Sequence, residues 1–329
     1  MARIARSEVF DHKGTNCIFT ECTAAPGRVL GRMRSPFSTE RDGRRVFIED
    51  VLGLFRQYFA VELIAYTIDD KCIRQMLQPQ PQLAKQLSPE DVARRWLIIC
   101  PSLRKHDAPL HHPSEKDISR LCEDPGRIDR IRGQLSDVAW WNRLLCQRIA
   151  QKFNKSDGLN GRFWAGRFCS TLLLDELSRL TCLASIDVTN PATHTAIALS
   201  GSTVAQSVKP QSSTTRESVT LMTNTAYMNL LDWTHRTLVN MPTDPQLERT
   251  VISLLWHRDI SASIWFPLVV DFRHHFSHIA GRLENMDRCV SLISRRRFFV
   301  RPQTRRLLRQ QSGSQHVCGD PFLAGWNTQ

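Results

Sequence analysis

AVELIAYTIDDKCIRQMLQPQP, residues 60–81, is the stretch on which the fold class turns. Its first nine residues are apolar and β-branched, which predicts a buried strand at the centre of a sheet. Side chains alternate along a strand, so Asp70, Cys72 and Arg74 are expected on one face.

Outward from it, CIFTECT (17–23) is strand-like, and RRVFIEDVLGLFRQYF (44–59) carries Phe47, Val51, Leu54, Phe55 and Tyr58 on one helical stripe. Ser88 before Pro89, Glu90 and Asp91 marks a helix start. The spacing of Ile128, Ile131, Leu135, Val138, Leu145, Ile149 and Phe153 predicts one long helix over 128–153. LNGRFWAGRF (159–168) follows it, and TLLLDELSRLTCLASI (171–186) reads as another helix. The Ser/Thr-rich run 200–225 reads as a linker. Four parts result: a sheet-and-helix domain (1–195), a linker (196–225), a helical, Arg-rich domain (226–309) and a tail (310–329). The expected class is α+β, a small antiparallel sheet flanked by helices.

The chain has 329 residues, 41% hydrophobic and 23% charged, the composition of an ordinary globular protein. No run reaches the ~18 apolar residues of a membrane span, and the polar start does not suit a signal peptide. A cytoplasmic protein with no membrane partner is the expectation. The net charge is +12, and of 44 basic residues only eight are Lys. Arginine's planar fork pairs with phosphate through two bonds, so this balance favours a polyanionic partner. A GC-rich genome also favours Arg codons. The ten cysteines hold no C-x-x-C pair and read as scattered thiols.

RRRFFVRPQTRRLLR (295–309) has seven arginines and no acid. Its Arg295, Arg296, Arg297, Arg301, Arg305 and Arg306 are candidate phosphate contacts. In HHFSH, His274 and His278 would stand one helical turn apart, a spacing that suits two metal ligands. No Glu follows the first His, so a helix-surface or half-buried pair is the preferred reading. Phosphate-binding Gly loops and nucleophile elbows are absent from the sequence.

Taken in order, several segments resemble the REP-associated tyrosine transposases (RAYT), relatives of the IS200-like insertion-sequence transposases. GRFWAGRF is similar to their G-x-x-W-x-G-R-[FY] turn, and MARIAR to their usual N-terminus. FAVELIAY resembles the strand leading to their active site. CLASIDVTNPA resembles their C-x-x-Y-[IV]-[DE]-L-N-P segment, with Ser185 at the Tyr and one extra residue before Asn190-Pro191. LLDWTHR and WFPLVVDFRHHFSHIAGR, the latter read as one helix, are similar to the C-terminal extension of a longer bacterial branch. The resemblance implies a ferredoxin-like HUH endonuclease fold and single-strand DNA transposition. In the family a His-hydrophobic-His strand holds a divalent metal such as Mg, and a tyrosine attacks the phosphorus.

The chain departs from that pattern where the chemistry sits. Aligned without gaps, the two histidine positions are Cys72 and Arg74, the Asn position is Lys71, the Met position is Asp69, and Ile149 stands at the tyrosine. The only tyrosines are Tyr58, Tyr66 and Tyr227. No catalytic residue is therefore expected to be intact, and no metal or other cofactor is expected to bind. The implied partner is DNA, single-stranded or hairpin, and a homodimer is compatible with the resemblance. Arg74, with Lys71, Arg162 and Arg167, is expected to hold a phosphate without a metal, unless Arg74 pairs with Asp70 instead. The aromatics of 159–168 are expected to pack the sheet against the helices. Two rivals stay open: a nicking transposase with a site rewired around Asp70 and Cys72, and a basic interaction protein that does not bind DNA.

Overall fold

The structure, a computed structural model, describes residues 16–31, 43–100, 113–189, 221–293 and 300–313. Strand β1 (Ile18–Thr23) is followed by helix α1 (Gly43–Tyr58), which buries Ile48, Val51, Leu52 and Phe55 at the three-and-four spacing of an amphipathic helix. Strands β2 (Val61–Ile68) and β3 (Cys72–Pro79) then form a hairpin. Helices α2 (Pro81–Gln86) and α3 (Pro89–Ile99) follow, and Ser88 caps α3 by accepting from Asp91 N, as its sequence signal predicts.

The second half of the sheet-bearing region brings α4 (Glu115–Cys122), α5 (Pro125–Leu135), α6 (Val138–Asp157), β4 (Cys169–Leu173) and α7 (Glu176–Val188). The sheet order is β2-β3-β1-β4 with a fifth strand, β5 (Ile279–Ala280), on the far edge. The first four strands pair antiparallel, and β5 joins β4 in parallel.

Four expectations need correction. The 60–68 segment is a strand, but β2 is an edge strand, and it is β3 that lies between two neighbours. Asp70 does not share a strand face with Cys72 and Arg74. Asp69 Oδ1 accepts from Lys71 N and Cys72 N at 2.8 and 2.7 Å, an Asx-type turn that ends β2 and reverses the chain. The 128–153 helix is two helices, because Asp137 leaves helical geometry to cap α6 by accepting from Ala139 N. In 171–186 the Thr-Leu-Leu part belongs to β4, and the helix begins after Asp175, which with Ser178 forms a capping box.

Register fixes what each face carries. Thr20 lies opposite Gln75 and Cys22 opposite Ile73. This face packs on α6, where Gln75 Oε1 accepts from the Trp141 indole at 2.8 Å and Gln75 Nε2 donates to Asn142 Oδ1 at 3.2 Å. Glu21 lies opposite Arg74, and Phe19 on that same side stacks edge-on against Phe272.

After residue 220 come α8 (Asn224–Leu238), α9 (Pro245–Trp256), α10 (Ala262–Val270), α11 (Phe272–His275), α12 (Leu283–Ile293) and α13 (Pro302–Gly313). The WFPLVVDFRHHFSHIAGR segment is thus not one helix. It breaks at Asp271, ends after His275 and continues as β5. Residues 226–309 therefore contribute to the sheet, and their apolar side chains join the same buried cluster as the rest. Buried Tyr227 donates to Asp187 of α7 at 2.8 Å. Gly281, next to β5, sits so close to Asp175 that an added Cβ would lie 2.7 Å from its Oδ2. The linker and tail assigned to 196–225 and 310–329 lie outside the described residues except at their edges, 221–225 and 310–313.

Candidate nucleic-acid interface

Two groups of side chains lie near one end of the sheet. The first contains the strand positions singled out above. Arg74 donates through Nε to Glu21 Oε2 at 2.9 Å and through Nη1 to Asp69 Oδ2 at 3.1 Å. The Cys72 thiol donates to the same Asp69 oxygen at 3.1 Å. Arg273 closes the cluster, 3.8 Å from Glu21 Oε1. Two guanidinium groups thus meet two carboxylates. The alternative of an ion pair with Asp70 is corrected: the partners are Glu21 and Asp69.

Burial pushes the Cys72 thiol up to about 12, with Asp69 and Glu21 adding to the rise against the opposing pull of Arg74. A protonated thiol beside a guanidinium does not suit a divalent cation. Among the described residues no group of three His, Cys, Asp or Glu side chains is placed to hold a metal ion. Tyr66 and Tyr227 do not serve this cluster either. Tyr66 lies opposite Gln75, on the α1 and α6 side, and Tyr227 is buried against Asp187. Ile149 is fully buried on α6, across the sheet from Arg74.

The second group is built from α6 and the 159–168 loop. Gly158, in left-handed geometry with φ 62°, ends α6, and Gly161 with φ 97° turns the chain back. Phe163 is buried against Phe153 at 5.6 Å and Trp164 at 5.1 Å, so part of the loop packs the core as expected. The Trp164 indole donates to Cys146 O at 2.8 Å, which fixes its ring against α6. Arg162 binds its own loop, through Nε to Trp164 O at 2.6 Å and through Nη2 to Ala165 O.

Between this loop and the start of α6 lies a cleft of about 540 Å³, lined by Trp140, Arg143, Trp164 and Arg167 among others. The Arg143 guanidinium lies 4.8 Å over the Trp140 ring. Arg143 and Arg167 are both exposed, and neither forms an ion pair among the described residues. Comparison with protein-family models, with curated proteins and with solved structures finds no match to this chain.

Of the four cations expected to act together on one phosphate, Lys71 and Arg74 belong to the β2–β3 hairpin and Arg162 and Arg167 to the loop. Residues 23–25 run between them, with Ala24 N donating to Lys71 O on one side and Thr23 O accepting from Ala165 N on the other. Lys71 is exposed in the hairpin turn, Arg74 is paired with two carboxylates, and Arg162 is used by its loop. Only Arg167 of the four faces solvent in the cleft. Trp140 and Arg143 had no sequence signal of their own. Of the pair Trp140-Trp141, one indole is buried and one half-exposed, and only the packed helix decides which.

The C-terminal arginines divide in the same way. Arg295, Arg296 and Arg297 lie outside the described residues. Arg301 donates to the carbonyls of Arg273 and His274, and Arg305 grips both Asp287 oxygens, so these two hold the fold together. Arg306 is exposed. His278 stands beyond the end of α11, which corrects the one-turn spacing expected from His274. The basicity of His275 and of His278 is lowered chiefly by burial, helped by His274 beside the former and by Arg273 beside the latter.

Proposed function

We propose that the chain is a DNA-binding protein of the RAYT and IS200-like kind that does not cleave its substrate. The observation that carries the binding half is the cleft, where two exposed guanidiniums with no carboxylate partner among the described residues stand beside two indoles. Arginine pairs with phosphate and aromatic rings stack on bases, a combination suited to single strands. The loss of cleavage rests on the closed Glu21–Asp69–Cys72–Arg74 cluster at the strand positions where the chemistry needs two histidines. The family assignment is supported by the order β2-β3-β1-β4, with helices after β1 and β3, which is the split β-α-β arrangement of ferredoxin-like folds.

The test is binding of hairpin DNA with a single-stranded tail, measured in EDTA and in magnesium. The expected result is equal affinity in both, a steep salt dependence and no strand nicking. Magnesium-dependent nicking abolished by Cys72→Ala would replace this reading with that of a rewired nuclease. Absence of binding at low salt would remove the DNA reading altogether.

A further inference from the structure

The cleft beside α6 has more structure than a basic surface requires. Its volume, about 540 Å³, falls within the ~300–1,000 Å³ of small-ligand clefts. Its walls are planar and fixed. Trp164 is held by its bond to Cys146 O and by Phe163 packed edge-on at 5.1 Å. Trp140 is held by Trp96, edge-on at 5.7 Å, with the Arg143 guanidinium over its ring.

The amide and carboxylate side chains lining the cleft are engaged by the protein itself. Asn142 is fully buried, accepting from Gln75 and donating to Val138 O. Asp137, the one acidic residue lining the cleft, accepts from Ala139 N at 2.7 Å to cap its own helix. Stacking surfaces and cationic charge remain. From this arrangement we propose that the cleft is a subsite for one unpaired nucleotide. The base stacks between Trp164 and the Arg143–Trp140 pair, and Arg167 meets the adjoining phosphate. Such a subsite takes any base, because stacking needs only a π-face, and it excludes a paired one, whose faces are already covered by its neighbours in the helix.

This inference rests on the DNA-binding reading, and the experiment separates the two. The probe is a hairpin DNA with a four-nucleotide single-stranded tail. It is compared with the same hairpin bearing abasic sites throughout the tail, and with the blunt hairpin. The full chain should bind the intact tail on the order of 10-fold more tightly than the abasic tail, and the abasic tail about as well as the blunt hairpin. Trp140→Leu and, separately, Arg143→Gln should shrink the intact-over-abasic ratio towards one. The second variant changes only an exposed residue, so it keeps the test valid if the first does not fold. Equal affinity for intact and abasic tails in the parent protein would overturn the subsite while leaving DNA binding standing. So would a ratio unchanged in folded Arg143→Gln. No binding of any of the three probes at low salt would overturn the DNA-binding reading, and the subsite with it.

Discussion

Arg74 and Arg167 stand near the same end of the sheet, yet their surroundings are opposite. Arg74 is 26% exposed and meets Glu21 and Asp69. Arg167 is exposed on a cleft wall and forms no ion pair among the described residues. The difference teaches that net charge does not locate a binding site. The charge of a guanidinium that meets two carboxylates is already compensated locally, so of the 44 basic residues only those without such partners add to the pull on a polyanion.

Stability measurements should divide the two regions first. Arg74→Leu leaves partly buried Glu21 with one distant cation, Arg273, and leaves Asp69 with only its bonds from Lys71 N, Cys72 N and the Cys72 thiol. It should cost about 1–3 kcal/mol in urea unfolding, the range for stranding buried hydrogen-bonding groups. Arg167→Ala should fall within about 0.5 kcal/mol of the parent, as exposed substitutions do. Equal losses would break the contrast. Gly281→Ala is a control at a third place, beside Asp175. Its new Cβ would meet an Asp175 carboxylate pinned by Arg282 N at 2.6 Å and Asn285 Nδ2 at 2.8 Å, so the obstacle cannot swing aside. An overpacking cost of about 1–3 kcal/mol is expected.

Thiol chemistry sharpens the same comparison with a smaller effect. Cys72, raised to about 12 by burial, should alkylate late near neutral pH, as should fully buried Cys182, and exposed Cys169 early, as mapped by mass spectrometry. A group whose folded pKa is raised contributes stability below its unfolded value, near 9, that is lost as pH climbs towards 12. Denaturation midpoints should therefore fall across that alkaline window, and by less in Cys72→Ser. For His275 and His278 the sign is reversed. Their basicity is lowered in the fold, so the stability they contribute above pH 6.5 is lost as the pH drops below it.

Much of the fold was legible because its signals are local. The apolar run 60–68, the Ser88-Pro89 start and the α1 stripe each carry their own period or cap. What was missed depended on partners distant in sequence. Whether β2 is central or at an edge is decided by β1, about forty residues earlier. Asp69 and Asp137 end elements through backbone bonds that an apolar period does not encode. The two-residue β5 is too short to have any period at all. In the candidate site the positions of Cys72 and Arg74 were readable, but Glu21, which pairs with Arg74, comes from another strand. The cleft escaped notice because its walls, Trp140 and Arg143 on α6 and Trp164 and Arg167 on the loop, meet only when α6 turns back through Gly158 and Gly161.

The most direct test of the contrast is the salt dependence of DNA affinity, in EDTA, for three proteins. They are the parent, the double variant Arg143→Gln/Arg167→Gln, and Arg74→Gln. The slope of log affinity against log salt should fall by up to about 2 in the double variant, roughly one for each phosphate that is no longer neutralised. Arg74→Gln should keep the parent's slope and affinity while melting at a lower temperature. A full parental slope in the double variant, or a reduced slope in folded Arg74→Gln, would contradict the assignment of binding to the cleft and of structure to the strand.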